Sequence, residues 1–279
     1  MIKIIADTLS CLSVEKAKEL GVDLIPQIIE FTEKSYRDDT EIDSATFLKK
    51  LRASTTLPKT AAPPPALYEP YFERYVAQGD TVLIICPSGQ VSGTVRSAQV
   101  AAQEFPQADI RVIDTLSIGP GLGMMVSLAV EWAKQGVDAD TIQARVLEMA
   151  GRERIYFLVD TLEYLQRGGR IGKAQALVGS LLQVKPILTI KDGHTESLES
   201  QRTKRKAMAR MCELVHNECP AGGEGYLSLM QGDAEEDAAL LAEEFKQSLS
   251  LTEVPIYFLP PAILVHAGPG ALGVSFFRK

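Results

Sequence analysis

The amino-acid sequence predicts an α/β protein with two domains, the first built on a parallel sheet and the second on a mixed sheet. Short apolar runs alternate with longer segments of helical periodicity through the first half, as in strand–helix–strand units. The second half adds a hairpin signal, which joins antiparallel strands. A chain of 279 residues, 46% of them hydrophobic, can bury two cores of ordinary size.

Four strand–helix pairs account for most of the first half and predict a parallel sheet covered by helices. The pairs are predicted at residues 2–6 and 14–20, 23–30 and 44–51, 81–86 and 92–105, and 110–114 and 122–135. Four prolines within residues 58–65 predict a stiff, extended loop between the second and third pairs, because proline fixes φ and cannot continue a helix.

The domain boundary is predicted where a helix over residues 138–150 gives way to a strand over residues 155–159. We therefore assign residues 1–152 to an N-terminal α/β domain. Residues 153–279 then form a C-terminal mixed α/β domain.

A hairpin is predicted early in the C-terminal domain, where Lys191, Asp192 and Gly193 separate two strand-like runs at residues 186–190 and 194–198. Helices are predicted next over residues 204–219 and 234–248, and strands over residues 226–230 and 255–259. Strands joined partly by a hairpin and partly through helices predict a mixed sheet.

Charge and composition exclude several classes of partner. A net charge of -7 argues against a nucleic-acid partner, and the one basic run, residues 202–206, is short and typical of a solvated helix start. No segment approaches the roughly 18 apolar residues of a membrane span, and the first residues lack a signal-peptide pattern. We therefore expect a cytoplasmic protein without integral membrane contact, which the four scattered cysteines also fit.

Four familiar motifs are matched only in part. Residues 268–273 match the glycine spacing of a dinucleotide fingerprint, but too few residues follow to form its helix. Residues 168–173 lack the spacing and the magnesium-binding hydroxyl of a phosphate loop. Residues 212–219 offer only three metal ligands, and residues 89–93 place their serine one position late for a nucleophile elbow. We therefore predict no metal and no cofactor.

Polar loops that follow strands are the better candidates, because ligands collect at the carboxyl ends of strands in α/β sheets. They are found at residues 6–8, 60–63, 87–93 and 114–115. The third loop leads into a helix whose free amides can receive an anion. Any one of these serines or threonines could instead cap a helix. Converging hydroxyls and amides would suit a small anionic group such as a carboxylate.

Two segments of the second half add charged groups to this set. In residues 162–171, two glycines precede Arg170, which can hold an anion through two hydrogen bonds or form an interdomain ion pair with Asp7 or Asp114. In residues 266–273, His266 stands beside three glycines and a proline. This second segment is either a rigid turn with a structural histidine or one wall of an anion-binding pocket.

Four blocks in this order, residues 162–171, 185–188, 202–207 and 266–273, resemble the DegV family. Its members are bacterial proteins that bind long-chain fatty acids in a tunnel between two α/β domains. The resemblance spans essentially the whole chain. It implies a ligand such as palmitate or oleate, with its carboxylate near Thr60, Ser88 and His266 and with Arg170 and Arg202 at or near the site. The full set of predicted ligand-binding residues is Thr60, Ser88, Gly89, Ser92, Arg170, Arg202, His266 and Gly268.

Three motifs in the predicted N-terminal domain depart from the family pattern. Thr-Asp-Ser is replaced by Ala-Asp-Thr at residues 6–8, Thr-Ser-Gln-Pro by Thr-Ala-Ala-Pro at residues 60–63, and Ser-Ser-Gly by Ser-Gly-Gln at residues 88–90. Two hydroxyls and one amide are missing. The head group is therefore expected to be held differently, or a different ligand to bind.

Similarity to fatty-acid kinase B subunits implies a carrier that presents the carboxylate to a separate kinase subunit and has no catalysis of its own. One alternative is an enzyme acting on a small carboxylate or phosphate ester, with His266 as acid or base and Arg170 as anion clamp. Another is a ligand-free regulatory or scaffold member of the family.

Overall fold

The computed structural model describes residues 1–178, 184–222 and 225–278, and the chain divides into two compact units. The first unit contains residues 1–43 and 54–151, and the second contains residues 44–53 and 152–279. Within the described residues, no helix combines the length and the apolar character needed to cross a lipid bilayer.

The first unit is built on a parallel sheet covered by helices. Its strands are β1 (Ile2–Asp7), β2 (Asp23–Ile25), β3 (Ile28–Glu30), β4 (Ser35–Arg37), β5 (Lys59–Ala61), β6 (Thr81–Cys86) and β7 (Ile110–Asp114). Its helices are α1 (Val14–Leu20), α3 (Glu69–Ala77), α4 (Thr94–Gln103), α5 (Pro120–Lys134) and α6 (Ala139–Arg152). Four strands pair in parallel in the order β2-β1-β6-β7, which confirms the fold class predicted for this half.

The single strand predicted over residues 23–30 is wrong, because the chain leaves the parallel sheet at Pro26 and Gln27. β2 ends before them, and β3 after them pairs with β4 and β5 in a separate antiparallel sheet. Proline has no amide hydrogen to continue a ladder, which accounts for the break. β5 lies inside the proline-rich segment, so part of the predicted loop is a strand.

The second unit is built on a mixed sheet, as predicted. Its strands are β8 (Glu153–Leu158), β9 (Lys185–Lys191), β10 (His194–Gln201), β11 (Leu227–Gly232), β12 (Ile256–Phe258) and β13 (Ala271–Phe277), in the order β10-β9-β8-β13-β11-β12. Its helices are α2 (Ser44–Ala53), α7 (Glu163–Arg167), α8 (Lys204–Glu218), α9 (Glu235–Ser248) and α10 (Pro261–Ala267). Only the β11–β12 pair is parallel among the pairs that the described strands form.

The predicted hairpin is confirmed between β9 and β10. Its two central residues, Asp192 and Gly193, have φ values of 50° and 78°. Two consecutive positive φ values are what a two-residue hairpin turn requires, and glycine and aspartate tolerate them best.

Residues 266–273 form a turn only in their middle part. His266 lies in the last turn of α10, and β13 begins at Ala271. Gly268 and Gly270 connect the two elements with φ values of 74° and 79°. The segment therefore runs from helix to strand, the reverse of a dinucleotide fingerprint.

Helix α2 belongs to the second unit although its sequence position falls within the first. It packs on α10, and the Ser44 hydroxyl donates to the Leu259 carbonyl at 2.8 Å. Arg52, at the other end of α2, forms an ion pair with Asp233. The predicted boundary at residue 152 had assigned this helix to the N-terminal domain.

Candidate functional site

A buried network of polar side chains lies at the carboxyl end of β1 in the first unit. Asp7 is only 1% exposed. Its Oδ2 accepts hydrogen bonds from Gln27 Nε2 at 2.6 Å and from Thr94 Oγ1 at 2.9 Å. Its Oδ1 accepts from the Leu9 amide at 3.1 Å. A carboxylate in this position is held from β2–β3, from α4 and from its own loop.

The surroundings of Asp7 favour its protonated form. Burial, opposed by the hydrogen bond from Thr94 and assisted by the charge of Asp38, raises the pKa of Asp7 to about 7. The proton on Asp7 is therefore bound or released near neutral pH. This places a titrating group within the network.

Asp38 is the second carboxylate of this network. It accepts from the Thr8 hydroxyl at 2.8 Å and from the Gln27 backbone amide at 2.8 Å. Gln27 thus joins the two carboxylates, through its side chain to Asp7 and through its backbone to Asp38. Thr8, a residue of the first predicted ligand-binding loop, therefore uses its hydroxyl within this network.

The loop between β6 and α4 holds three of the predicted ligand-binding residues. Ser88 is fully buried, and its Oγ accepts from the Gln90 amide at 3.1 Å. The Gly89 amide donates to both carboxylate oxygens of Asp114, each at 3.2 Å. These contacts give the loop a fixed shape and engage the amide of Gly89, one of the predicted ligand-binding residues.

Ser92 lies at the end of this loop and is partly exposed. Its Oγ is 2.9 Å from Thr94 Oγ1 and accepts from the Thr94 amide at 3.3 Å. Helix α4 begins after Gly93, which has no side chain to cap it. The Ser92 hydroxyl is therefore connected through Thr94 to the buried Asp7.

Thr60 lies in β5, paired with Ile29 of β3, and is partly exposed. The segment that follows it approaches the start of α4. A Cβ added at Gly93 would lie 3.0 Å from the Cβ of Ala62, and the Ser97 hydroxyl donates to the Pro63 carbonyl. The proline-rich segment and the Ser92 loop are thus neighbours within the first unit.

The second unit holds His266 against the glycine pair that follows α7. A Cβ added at Gly168 would overlap His266 Nδ1, so glycine is required for this approach. Burial lowers the pKa of His266 to about 4, and the charge of Arg170 contributes in the same direction. The imidazole is therefore neutral at pH 7.

Arg170 lies beside the same glycine. Its Nη1 donates to the Gly168 carbonyl at 2.7 Å, and its backbone amide donates to the Leu165 carbonyl at 2.9 Å. Burial lowers the pKa of the Arg170 guanidinium, which nevertheless stays positively charged. His266 and Arg170 thus place a neutral donor or acceptor and a positive charge around one backbone position.

Gly268 completes this cluster. A Cβ at Gly268 would overlap the Tyr164 ring, and the positive φ of Gly268 also favours glycine.

Arg202 is not part of the cluster. It is exposed in the turn before α8, and the described part of the chain gives it neither a hydrogen bond nor an ion pair.

The first unit thus brings together Ser88, Gly89 and Ser92 and places the segment of Thr60 beside them, while the second unit brings together His266, Gly268 and Arg170. Their roles as ligand contacts stay predictions. Sequence reasoning missed Gln27 and Thr94, which hold Asp7. A polar residue after a proline within an apolar run was a signal for Gln27, whereas nothing near Thr94 in the sequence indicated its partner.

Metal ligands do not cluster within residues 1–178, 184–222 and 225–278, where no group of three or more His, Cys, Asp or Glu side chains could hold an ion. On α8, the thiol of Cys212 contacts Glu244 at 3.3 Å, and His216 Nε2 is 2.6 Å from the Ser248 hydroxyl. These side chains connect α8 to α9.

Comparison with known proteins gives consistent matches over the whole length. The model of the DegV family, described as "Uncharacterised protein, DegV family", matches residues 1–279. A DegV domain-containing protein of Halalkalibacterium halodurans is 34% identical over 99% of this chain and 98% of its own length.

Two solved structures are also similar. A DegV family protein from Thermus thermophilus, described as fatty acid binding, has a TM-score of 0.92 at 32% identity and covers 100% of this chain and 99% of its own. A fatty acid binding DegV family protein from Streptococcus agalactiae has a TM-score of 0.91 at 26% identity, with the same coverage.

Proposed function

The chain belongs to the DegV family, and we propose that it binds a long-chain fatty acid such as palmitate or oleate. The observation that carries the proposal is the full-length similarity to the fatty acid binding protein of Thermus thermophilus, at 32% identity and a TM-score of 0.92. The proposal includes a cytoplasmic location and a carrier role, in which the bound acid is presented to a fatty-acid kinase subunit.

The state of His266 supports a carboxylate ligand. A neutral imidazole can donate one hydrogen bond to a carboxylate, and its pKa of about 4 keeps it neutral through the physiological range. Arg170 adds a positive charge that acts on the same imidazole. Together they offer a donor and a favourable field to an anion.

The altered serine motifs are expected to weaken binding of the carboxylate head group more than binding of the acyl tail. Each hydrogen bond lost to a charged group costs roughly 1.5–3 kcal/mol. Burial of some 15 methylenes, at about 0.8 kcal/mol each, contributes roughly 12 kcal/mol before ordering costs. We therefore expect binding to be retained, with less discrimination between a carboxylate and other head groups.

The same histidine argues against catalysis by this chain. With a pKa of about 4, His266 is neutral at pH 7, which makes it a poor general acid. A base of such low pKa also has little driving force to remove a proton. We propose that the chain is not an enzyme and that phosphorylation of the acid belongs to the kinase subunit.

The first experiment identifies the ligand. The protein is purified, denatured and extracted, the extract is examined by mass spectrometry, and binding of labelled palmitate and oleate is measured in parallel. We expect a copurified acyl chain and saturable binding. If the extract contains no lipid and neither acid binds, the proposed function is wrong.

A second experiment tests the head-group role of His266. His266→Ala should weaken palmitate binding roughly 10- to 100-fold, the equivalent of one hydrogen bond to a charged group. His216→Ala, an exposed histidine on α8, is the matched control and should bind as the unaltered protein does. Equal affinity of both variants would remove His266 from the site.

The carrier role is tested separately. A fatty-acid kinase subunit is supplied with ATP and palmitate, with and without this chain, and acyl phosphate is measured. We expect product only when the chain is present. Product formed equally well in its absence, or none in either case, would contradict the carrier role and leave fatty-acid binding to the first experiment.

A further inference from the structure

Three side-chain oxygens form a continuous hydrogen-bonded row from the interior of the first unit to its partly exposed loop. Asp7 Oδ2 and Thr94 Oγ1 are 2.9 Å apart, and Thr94 Oγ1 and Ser92 Oγ are also 2.9 Å apart. Asp7 and Thr94 are each 1% exposed. The distances permit either oxygen of the second pair to be the donor, so the direction depends on the rest of the row.

With Asp7 ionised, the direction of the row is determined. The carboxylate can only accept, so the Thr94 hydroxyl must donate to it. Gln27 Nε2 uses one hydrogen for Asp7 at 2.6 Å and one for Thr94 Oγ1 at 2.9 Å. Thr94 then has one lone pair left, which accepts the hydrogen of Ser92. The outward side of Ser92 Oγ carries a lone pair, which repels an anion.

With a proton on Asp7 Oδ2, both hydrogen bonds of the row reverse their direction. The Asp7 hydroxyl donates to Thr94, and Thr94 donates to Ser92 while still accepting from Gln27. Ser92 Oγ now accepts from the Thr94 hydroxyl and from the Thr94 amide, at 3.3 Å. The hydrogen of the Ser92 hydroxyl then no longer bonds to Thr94 and can turn outward. The number of hydrogen bonds inside the row is the same in both states.

We propose that Asp7 is a positioning residue that acts through Thr94, so that the Ser92 hydroxyl donates to a ligand carboxylate only when Asp7 carries a proton. The inference rests on the proposed function, since Ser92 is a ligand contact only by family resemblance. It adds a proton to the binding reaction, because a bound carboxylate stabilises the protonated form of Asp7.

Titratable groups face Asp7 from several elements of the first unit. Asp38 faces it from the segment after β4, and its charge acts together with burial to raise the pKa of Asp7 to about 7. Burial also raises the pKa of Cys11, Cys86 and Tyr68, which face Asp7 from its own loop, from β6 and from the start of α3. These three are therefore neutral between pH 6 and 9.

The test measures the dissociation constant of labelled palmitate between pH 6 and 9. In the unaltered protein, we expect affinity to fall roughly 10- to 100-fold as pH rises through 7. Asp7→Asn supplies a permanent donor to Thr94, although its amide nitrogen cannot accept the hydrogen bond from Gln27, so its affinity should be the same at pH 9 as at pH 6. Ser92→Ala should bind weakly at every pH. Ser127→Ala on α5, whose hydroxyl donates to the Gly123 carbonyl of its own helix at 2.9 Å, is the control and should behave as the unaltered protein does.

Thr94→Val separates the relay from simple repulsion between Asp7 and the ligand. Valine removes the middle oxygen and leaves the carboxylate in place, so the relay predicts loss of most of the pH dependence. If Thr94→Val keeps the full dependence, merely displaced along the pH axis, repulsion is the cause and the relay is wrong. Thr94→Ser restores the oxygen and should restore the pH dependence, and fluorescence of Trp132 verifies that each variant is folded.

Calorimetry in two buffers of different ionisation heat gives an independent measurement. Near pH 7.5, palmitate binding should take up most of one proton in the unaltered protein and none in Asp7→Asn. Binding without pH dependence or proton uptake would overturn the relay and leave the proposed function standing. Absence of palmitate binding in every form at every pH would instead overturn the proposed function, and the relay with it.

Discussion

The buried carboxyl of Asp7 should make the first unit more stable in mild acid than in mild base. Folding raises its pKa from the ordinary 3.8 to about 7, so the folded state binds this proton more tightly than the unfolded state. The contribution is fully present below pH 3.8 and is lost as pH rises to 7. At 1.36 kcal/mol for each pH unit, the full range amounts to roughly 4 kcal/mol.

The change between pH 5 and pH 8 is the measurable part and amounts to roughly 2.5 kcal/mol. Trp132 on α5 is the single tryptophan of the chain, so its fluorescence during urea unfolding follows the first unit. The free energy of unfolding is measured at both pH values for the unaltered protein and for Asp7→Asn. Other titrating groups are common to the two proteins, and the constant cost of the substitution cancels in the difference between pH values.

We expect the unaltered protein to lose roughly 2.5 kcal/mol more than Asp7→Asn on going from pH 5 to pH 8. Equal pH dependence in the two proteins would mean that Asp7 is ionised throughout this range. That result would also remove the proton on which the proposed relay to Ser92 depends.

Two further substitutions test particular contacts. Tyr68→Phe removes a fully buried hydroxyl that has no hydrogen-bond partner among the described residues, so the free energy of unfolding followed by Trp132 should stay equal or rise by up to about 1 kcal/mol. A loss above 1 kcal/mol would show that the hydroxyl is bonded in solution. Gly168→Ala places a Cβ where His266 Nδ1 lies, so palmitate affinity should fall as far as in His266→Ala. Gly151→Ala in α6, where an added Cβ meets nothing within 4 Å, should leave affinity unchanged.

The fold was predictable from sequence where local patterns and tertiary structure agree. The strand–helix alternation before residue 115 and the Asp192–Gly193 turn each depend on neighbouring residues only. The pattern failed at residues 23–30, where one apolar run supplies strands to two different sheets. It failed again near His266, because α10 is seven residues long and mostly apolar, too short and too uniform to show a helical period.

The candidate site was predictable only as a set of loops. Strand ends indicated Asp7, Ser88 and Asp114, because polar residues after buried strands collect at one edge of a sheet. The bonds that define the network join Asp7 to Gln27 and to Thr94, which are 20 and 87 residues away in the chain. No local signal encodes such pairs. The pKa of Asp7 depends on these partners and on burial, and neither can be derived from the sequence alone.

The position of β13 has a consequence for the order in which the protein can be made. This strand lies between β8 and β11, so without it the second sheet separates into β10-β9-β8 on one side and β11-β12 on the other. Residues 271–277 must therefore be synthesised before the sheet of the second unit can be completed. All seven strands of the first unit precede residue 115, so that unit can form while the rest of the chain is still being synthesised. Helix α2 is synthesised early, but α10, the helix on which it packs, follows some 200 residues later in the chain.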